Sequence, residues 1–89
     1  MKSYLVEAYM PAATPLDEIE RRATQAADDV SVEGHHVRYE RSIYVAEDEI
    51  CFYLFDADSV DAVRLASERA DLRPQRIVEA IENSVADRY

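Results

Sequence analysis

Six side chains fall where strand alternation would group them into a site: Glu7, Tyr9, Tyr44, Cys51, Tyr53 and Glu79. Two carboxylates close together in a partly buried space repel, so one of them holds its proton to higher pH. That is how an acid–base pair is made. Glu7 and Glu79 are the candidates, and with Arg38 or Arg41 nearby the same carboxylates serve as a structural ion pair across a dimer. Tyr9, Tyr44 and Tyr53 supply aromatic walls with orienting hydroxyls, or equally the tyrosines of a protein interface. Cys51 stands in a β-rich run with no basic neighbour in sequence, which favours a buried, inert thiol over a nucleophile. His35 and His36 are the candidate metal ligands. Adjacent residues of an extended chain point to opposite sides, so chelation of one ion requires a turn or a second subunit. The plain alternative is two loop histidines at a strand entrance. Ser42 and Ser59 lack an elbow or triad context, and Ser59 suits a helix cap.

The element that must position most of these groups runs from Val37 to Phe55, VRYERSIYVAEDEICFYLF. β-Branched and aromatic residues flank an acidic turn, which predicts a β-hairpin. With Ala46 to Glu49 as the turn, Val45 faces Ile50, Ile43 faces Phe52 and Arg41 faces Leu54. Ile43, Val45, Ile50, Phe52 and Leu54 then share one face, and Ser42, Tyr44, Cys51, Tyr53 and Phe55 the other. The second face is aromatic and uncharged, and the first is apolar beyond Arg41. An antiparallel sheet with one wet side shows polar residues there, so both faces are expected to be covered.

The flanking elements follow from period and punctuation. Ser3 to Tyr9 reads as a strand with Tyr4, Val6 and Ala8 on one side and Leu5, Glu7 and Tyr9 on the other. Thr14 as N-cap and Pro15 at the first helical position open a helix ending near Ser31, with Leu16, Ile19, Ala23, Ala26 or Ala27, and Val30 inward. Gly34 turns the chain toward the hairpin. A second helix spans Val60 to Ala70 with Val63, Ala66 and Ala70 inward, and Pro74 forbids its continuation. Arg76 to Asn83 reads as the last strand. The order βαββαβ predicts an α+β, ferredoxin-like fold: a four-stranded antiparallel sheet, order 4-1-3-2, with both helices on one face. Residues 1–83 form this domain and 84–89 a C-terminal tail. The bare face is expected to present Glu7, Tyr9, Tyr44, Cys51, Tyr53, Ile77, Glu79 and Ile81. Two such faces packed together make a dimeric α+β barrel enclosing a small cavity.

Composition narrows the function. A net charge of −9 argues against nucleic acid and anionic membranes, because phosphate recognition needs a basic surface. A lone cysteine permits no intrachain disulfide and no cysteine-rich zinc site, and a lone glycine leaves no phosphate-cradling loop. No apolar run approaches the roughly 20 residues of a membrane span, and no basic-then-apolar leader opens the chain. A cytoplasmic protein is expected.

The strings YLVEAYMP (Tyr4 to Pro11), VRYERSIYVAEDEICFYLFDADSVDAVR (Val37 to Arg64) and LRPQRIVEAIE (Leu72 to Glu82) resemble a bacterial family of unknown function. Its members are small ferredoxin-like proteins, and one branch is described as nickel-binding. The shared pattern is similar to V-E-R-Y-x-P, V-R-Y-x-R-S-x-x-V-P-E-D-E-x-C-F, A-x-S-x-x-A-V-x-x-A and R-I-V-E-A. The resemblance implies a homodimer and a divalent metal such as nickel, or a small ligand, near the sheet face. Ni(II) favours nitrogen ligands, and this chain offers imidazole only at His35 and His36. Three functions follow as expectations. The first is a dimeric protein binding a small ligand or divalent metal at the sheet face. The second is a cofactor-free isomerase or monooxygenase using Glu7, Glu79 or a tyrosine as acid or base. The third is an interaction module with a basic partner.

Overall fold

The computed structural model describes residues 1–83; the expected tail, 84–89, lies outside the described residues. Seven elements follow one another: β1 (Lys2–Tyr9), α1 (Leu16–Val32), β2 (Val37–Val45), a short 3-10 turn (Ala46–Asp48), β3 (Ile50–Ala57), α2 (Val60–Arg69) and β4 (Arg76–Ala80). The sheet is antiparallel with strand order β2-β3-β1-β4, and both helices pack on one side. This is the ferredoxin-like α+β arrangement expected from the element order.

Local chemistry sets the boundaries. Ile19, Ala23, Ala26, Ala27 and Val30 are the buried stripe of α1, and Ala62, Val63, Ala66 and Ser67 that of α2. The small side chains let the two helices lie close to the sheet and to each other. Ser59 caps α2, its hydroxyl accepting from the Ala62 N–H at 3.2 Å. Thr14 does not cap α1. Its hydroxyl donates to the Pro11 carbonyl at 2.6 Å, and Pro15 takes the cap position without a side-chain bond. The last strand stops at Ala80, three residues before the expected Asn83.

Both helices end in the same hydrogen-bonded turn. After α1, the Gly34 N–H bonds Ser31 O and the His35 N–H bonds Val30 O. After α2, the Asp71 N–H bonds Glu68 O and the Leu72 N–H bonds Ser67 O. This is the Schellman pattern, whose turning residue adopts a left-handed backbone. Gly34 does so at φ 104 without steric cost, whereas Asp71 is held at φ 56 with a Cβ. Asp71→Gly is therefore expected to be more stable than Asp71→Ala by about 1–2 kcal/mol in chemical denaturation. Equal midpoints for the two variants would show that the turn carries no strain.

One irregularity keeps both halves of β2 facing the same way. Tyr39 pairs with Phe55 and Arg41 with Leu54, so Glu40 is an extra residue opposite no partner. A β-bulge of this kind flips the alternation. Val37 and Tyr39 before it, and Ser42 and Tyr44 after it, all point to the helix side.

Candidate functional site

The hairpin pairs as its sequence implies, Val45 with Ile50, Ile43 with Phe52 and Arg41 with Leu54. Its orientation is the reverse of expectation. Cys51, Tyr53 and Phe55 are buried with Tyr4, Val6 and Ala8 beneath the helices. The reason is the β1–β3 register, Val6 opposite Tyr53 and Glu7 opposite Phe52. Phe52, Leu54, Ile50, Ile43 and Val45 therefore lie on the open side with Leu5, Glu7 and Tyr9.

That open face is apolar in its middle and charged at its margins. Leu5, Ile50, Phe52 and Val78 are half-buried there, and Ile43 is 58% exposed. At one end Asp56 accepts from the Ser3 hydroxyl at 3.0 Å and from Arg38 at 3.1 Å. Hydrogen bonds from the Ser3 hydroxyl and the Arg38 guanidinium hold the Asp56 carboxyl below its ordinary range. Arg41, on edge strand β2, bonds Glu82 at 2.5 Å. Glu82 follows β4 on the opposite edge, so this ion pair spans the sheet. Glu7 is half-buried, and its carboxylate has no side-chain partner among the described residues. Glu79 does not join it. Glu7 stands opposite Arg76 and Glu79 opposite Tyr4, which puts the two carboxylates on opposite faces. Glu79 instead lies 3.6 Å from the Lys2 ammonium. The expected acid–base pair is therefore not formed within the subunit. Ile77 packs against the helix-side core, and Ile81 is exposed beyond β4.

Tyr44, Cys51 and Tyr53 are brought together, but under α1. The Tyr44 hydroxyl donates to Met10 O at 3.1 Å, tying the β1–α1 loop to the sheet. The Tyr39 hydroxyl donates to Glu20 at 2.6 Å, and its ring meets Phe55 edge-on at 5.3 Å. Burial pushes the Cys51 thiol up, which keeps it protonated and unreactive. Burial also raises the Tyr39 and Tyr53 phenols, with the Glu20 carboxylate adding to the shift at Tyr39. An acid raised in the folded state stabilises the fold below its unfolded value and loses that contribution as pH climbs. Stability is thus expected to fall above pH 10, the ordinary phenol value, with these two tyrosines ionising only as the protein unfolds. Tyrosinate absorbance followed beside circular dichroism checks this; ionisation of all six tyrosines before unfolding would contradict it.

A cleft of about 370 Å³ opens at one end of the sheet, between the β1–α1 loop and the α2–β4 loop. Tyr9, Met10 and Pro11 border one side and Asp71, Leu72 and Arg73 the other, with Ile19 and Tyr53 also lining it. Tyr9 and Tyr53 both border this cleft at the end of the sheet, which is not the sheet-face pocket they were expected to line with Tyr44. Asp71, Leu72 and Arg73 lack a sequence motif; the left-handed backbone of Asp71 and Arg73 is visible only in the fold.

Residues 4–80 match the family model described as nickel responsive protein SCO4226-like. This chain belongs to that family. A search of solved structures finds the crystal structure of SCO4226 from Streptomyces coelicolor A3(2) at TM-score 0.76 and 18% identity, covering 92% of this chain and 99% of that one. At that identity the likeness concerns the fold. No curated protein matches the chain.

The family's link to nickel can be tested on the donor set. His35 and His36 are exposed in the turn after α1, a place fixed by the Schellman bonds around Gly34. Their neighbour Glu33 is bonded through both carboxylate oxygens to Arg69, which holds its carboxyl below the usual range. Among the described residues no three His, Cys, Asp or Glu side chains are grouped to hold an ion. The described residues of one subunit therefore offer His35 and His36 without a third grouped donor of the kind a nitrogen-rich nickel centre needs. Among the described residues, no helix is long and apolar enough to cross a membrane.

Proposed function

We propose that this member of the nickel responsive family works as a homodimeric binding protein. Two open sheet faces meet, and Glu7 of each copy faces a small ligand or divalent cation between them. The observation that carries this reading is the apolar sheet face turned away from the helices, on which, among the described residues, Ile43 is exposed and Leu5, Phe52 and Val78 are half-buried. A sheet face of that character is normally covered, and a second copy covers it with matching chemistry. Glu7 is the half-buried carboxylate of that face without an ion pair among the described residues. Any two-fold pairing of these faces doubles the count of such oxygens available to a cation.

Native mass spectrometry of the untagged protein, titrated with nickel and zinc, tests both parts. The expected result is a dimer that takes up the cation, with uptake reduced in Glu7→Gln while the dimer persists. A clean monomer overturns the paired-sheet reading. Metal uptake that survives Glu7→Gln and disappears when His35 and His36 are changed to alanine would move the site to the turn after α1.

A further inference from the structure

The cleft at the end of the sheet lies apart from the apolar middle of the open face, and its chemistry differs. Its walls are held in place before any ligand arrives. On one side Thr14 folds back on Pro11 through its backbone N–H at 3.0 Å and its hydroxyl, while Met10 N–H bonds Glu49 O at 2.7 Å. The Tyr44 hydroxyl holds Met10 O from below. On the other side the Schellman turn fixes Asp71 and Leu72, and Gln75 N–H bonds Glu7 O at 2.7 Å. Arg22 Nε donates to Ala70 O at 3.1 Å, pinning the end of α2 to α1. Walls that need no ordering on binding lose little entropy when a ligand enters.

The interior and the mouth ask for different parts of one molecule. Met10, Pro11, Ile19, Leu72 and the Tyr53 ring make an apolar lining. At the mouth, Asp71 and Arg73 are both held in the left-handed region, φ 56 and φ 53, which sets a carboxylate and a guanidinium side by side. Arg73 Nε touches Asp71 Oδ1 at 3.2 Å, and the Arg73 Nη groups have no partner among the described residues. A small anion would meet the field of a chain carrying −9, and a cation would be drawn to many surface carboxylates. A neutral zwitterion escapes both effects. We propose that the cleft binds a free α-amino acid with a large apolar side chain. Its carboxylate lies on Arg73, its ammonium on Asp71, and its side chain among Ile19, Leu72 and Tyr53. The volume is within the range of small-molecule sites.

The test is a backbone-amide NMR titration of isotope-labelled full chain with L-phenylalanine, phenylacetate and phenethylamine. The same titrations are repeated in the Ile43→Asp background so that dimerisation plays no part. L-Phenylalanine is expected to shift the Ile19, Tyr53, Leu72 and Arg73 amides saturably. Removing either charged group, in the ligand or by Arg73→Gln or Asp71→Asn, should weaken binding about tenfold, as charge-assisted hydrogen bonds at a partly wet rim do. Both side chains are mostly exposed, so neither variant threatens folding. Equal affinity for the three ligands, shifts confined to other residues, or no response to either substitution would each overturn the assignment.

Discussion

Phe55→Ala is expected to lower the unfolding free energy by about 3–5 kcal/mol, the usual cost of emptying a buried aromatic site. Phe55 is 0% exposed, packed against Tyr39 on the helix side of β3. A small domain has roughly 5–15 kcal/mol in total, so the variant should melt well over 10 °C lower. Phe52→Ala is the control, on the same strand and with the same chemistry. Phe52 is half-buried on the open face, so its truncation should cost about half as much or less when the chain is monomeric. Thermal melts of both variants in the Ile43→Asp background make the comparison. If Phe52→Ala is the more damaging, the helices lie on the other side of the hairpin.

Ile43→Asp is expected to convert the proposed dimer to monomer. Ile43 is 58% exposed in a single subunit, so the change should move folding stability by only about 0.5 kcal/mol, as surface substitutions do. In a paired-sheet dimer each copy would instead bury an unpaired carboxylate against an apolar face. That penalty is several kcal/mol per dimer, or about a hundredfold or more in dissociation constant. Sedimentation equilibrium across a dilution series reads it directly. An Ile43→Asp protein that dimerises like the unaltered chain would place the contact elsewhere. Raising salt is a useful second axis, because Arg41–Glu82 crosses the same face and Arg38–Asp56 sits at its margin. Exposed pairs of this kind contribute little to stability and are screened by ions. An apolar interface should therefore tolerate salt that weakens these pairs.

Much of the architecture was legible along the chain because it is written in short-range chemistry. Alternation over Arg41–Val45 and Ile50–Leu54, with an acidic turn between them, specified every cross-strand pair of the upper hairpin. Helical spacing of Ile19, Ala23, Ala27 and Val30 named the buried stripe of α1, and Ser59 announced α2. The element order then left one compact arrangement. Which face of the hairpin meets the helices was not legible, because both faces are apolar and a two-residue period carries no sign. Tertiary pairing decided it: Val6 against Tyr53 and Glu7 against Phe52, residues far apart in the chain. The same long-range register moved Tyr44, Cys51 and Tyr53 beneath α1, the β1–β4 pairing set Glu7 and Glu79 on opposite faces, and the unannounced bulge at Glu40 brought Val37 and Tyr39 to the helix side as well. The mouth of the cleft has the same origin. Asp71 and Arg73 are ordinary surface residues in sequence, and only the left-handed turn after α2 places them together beside Tyr53.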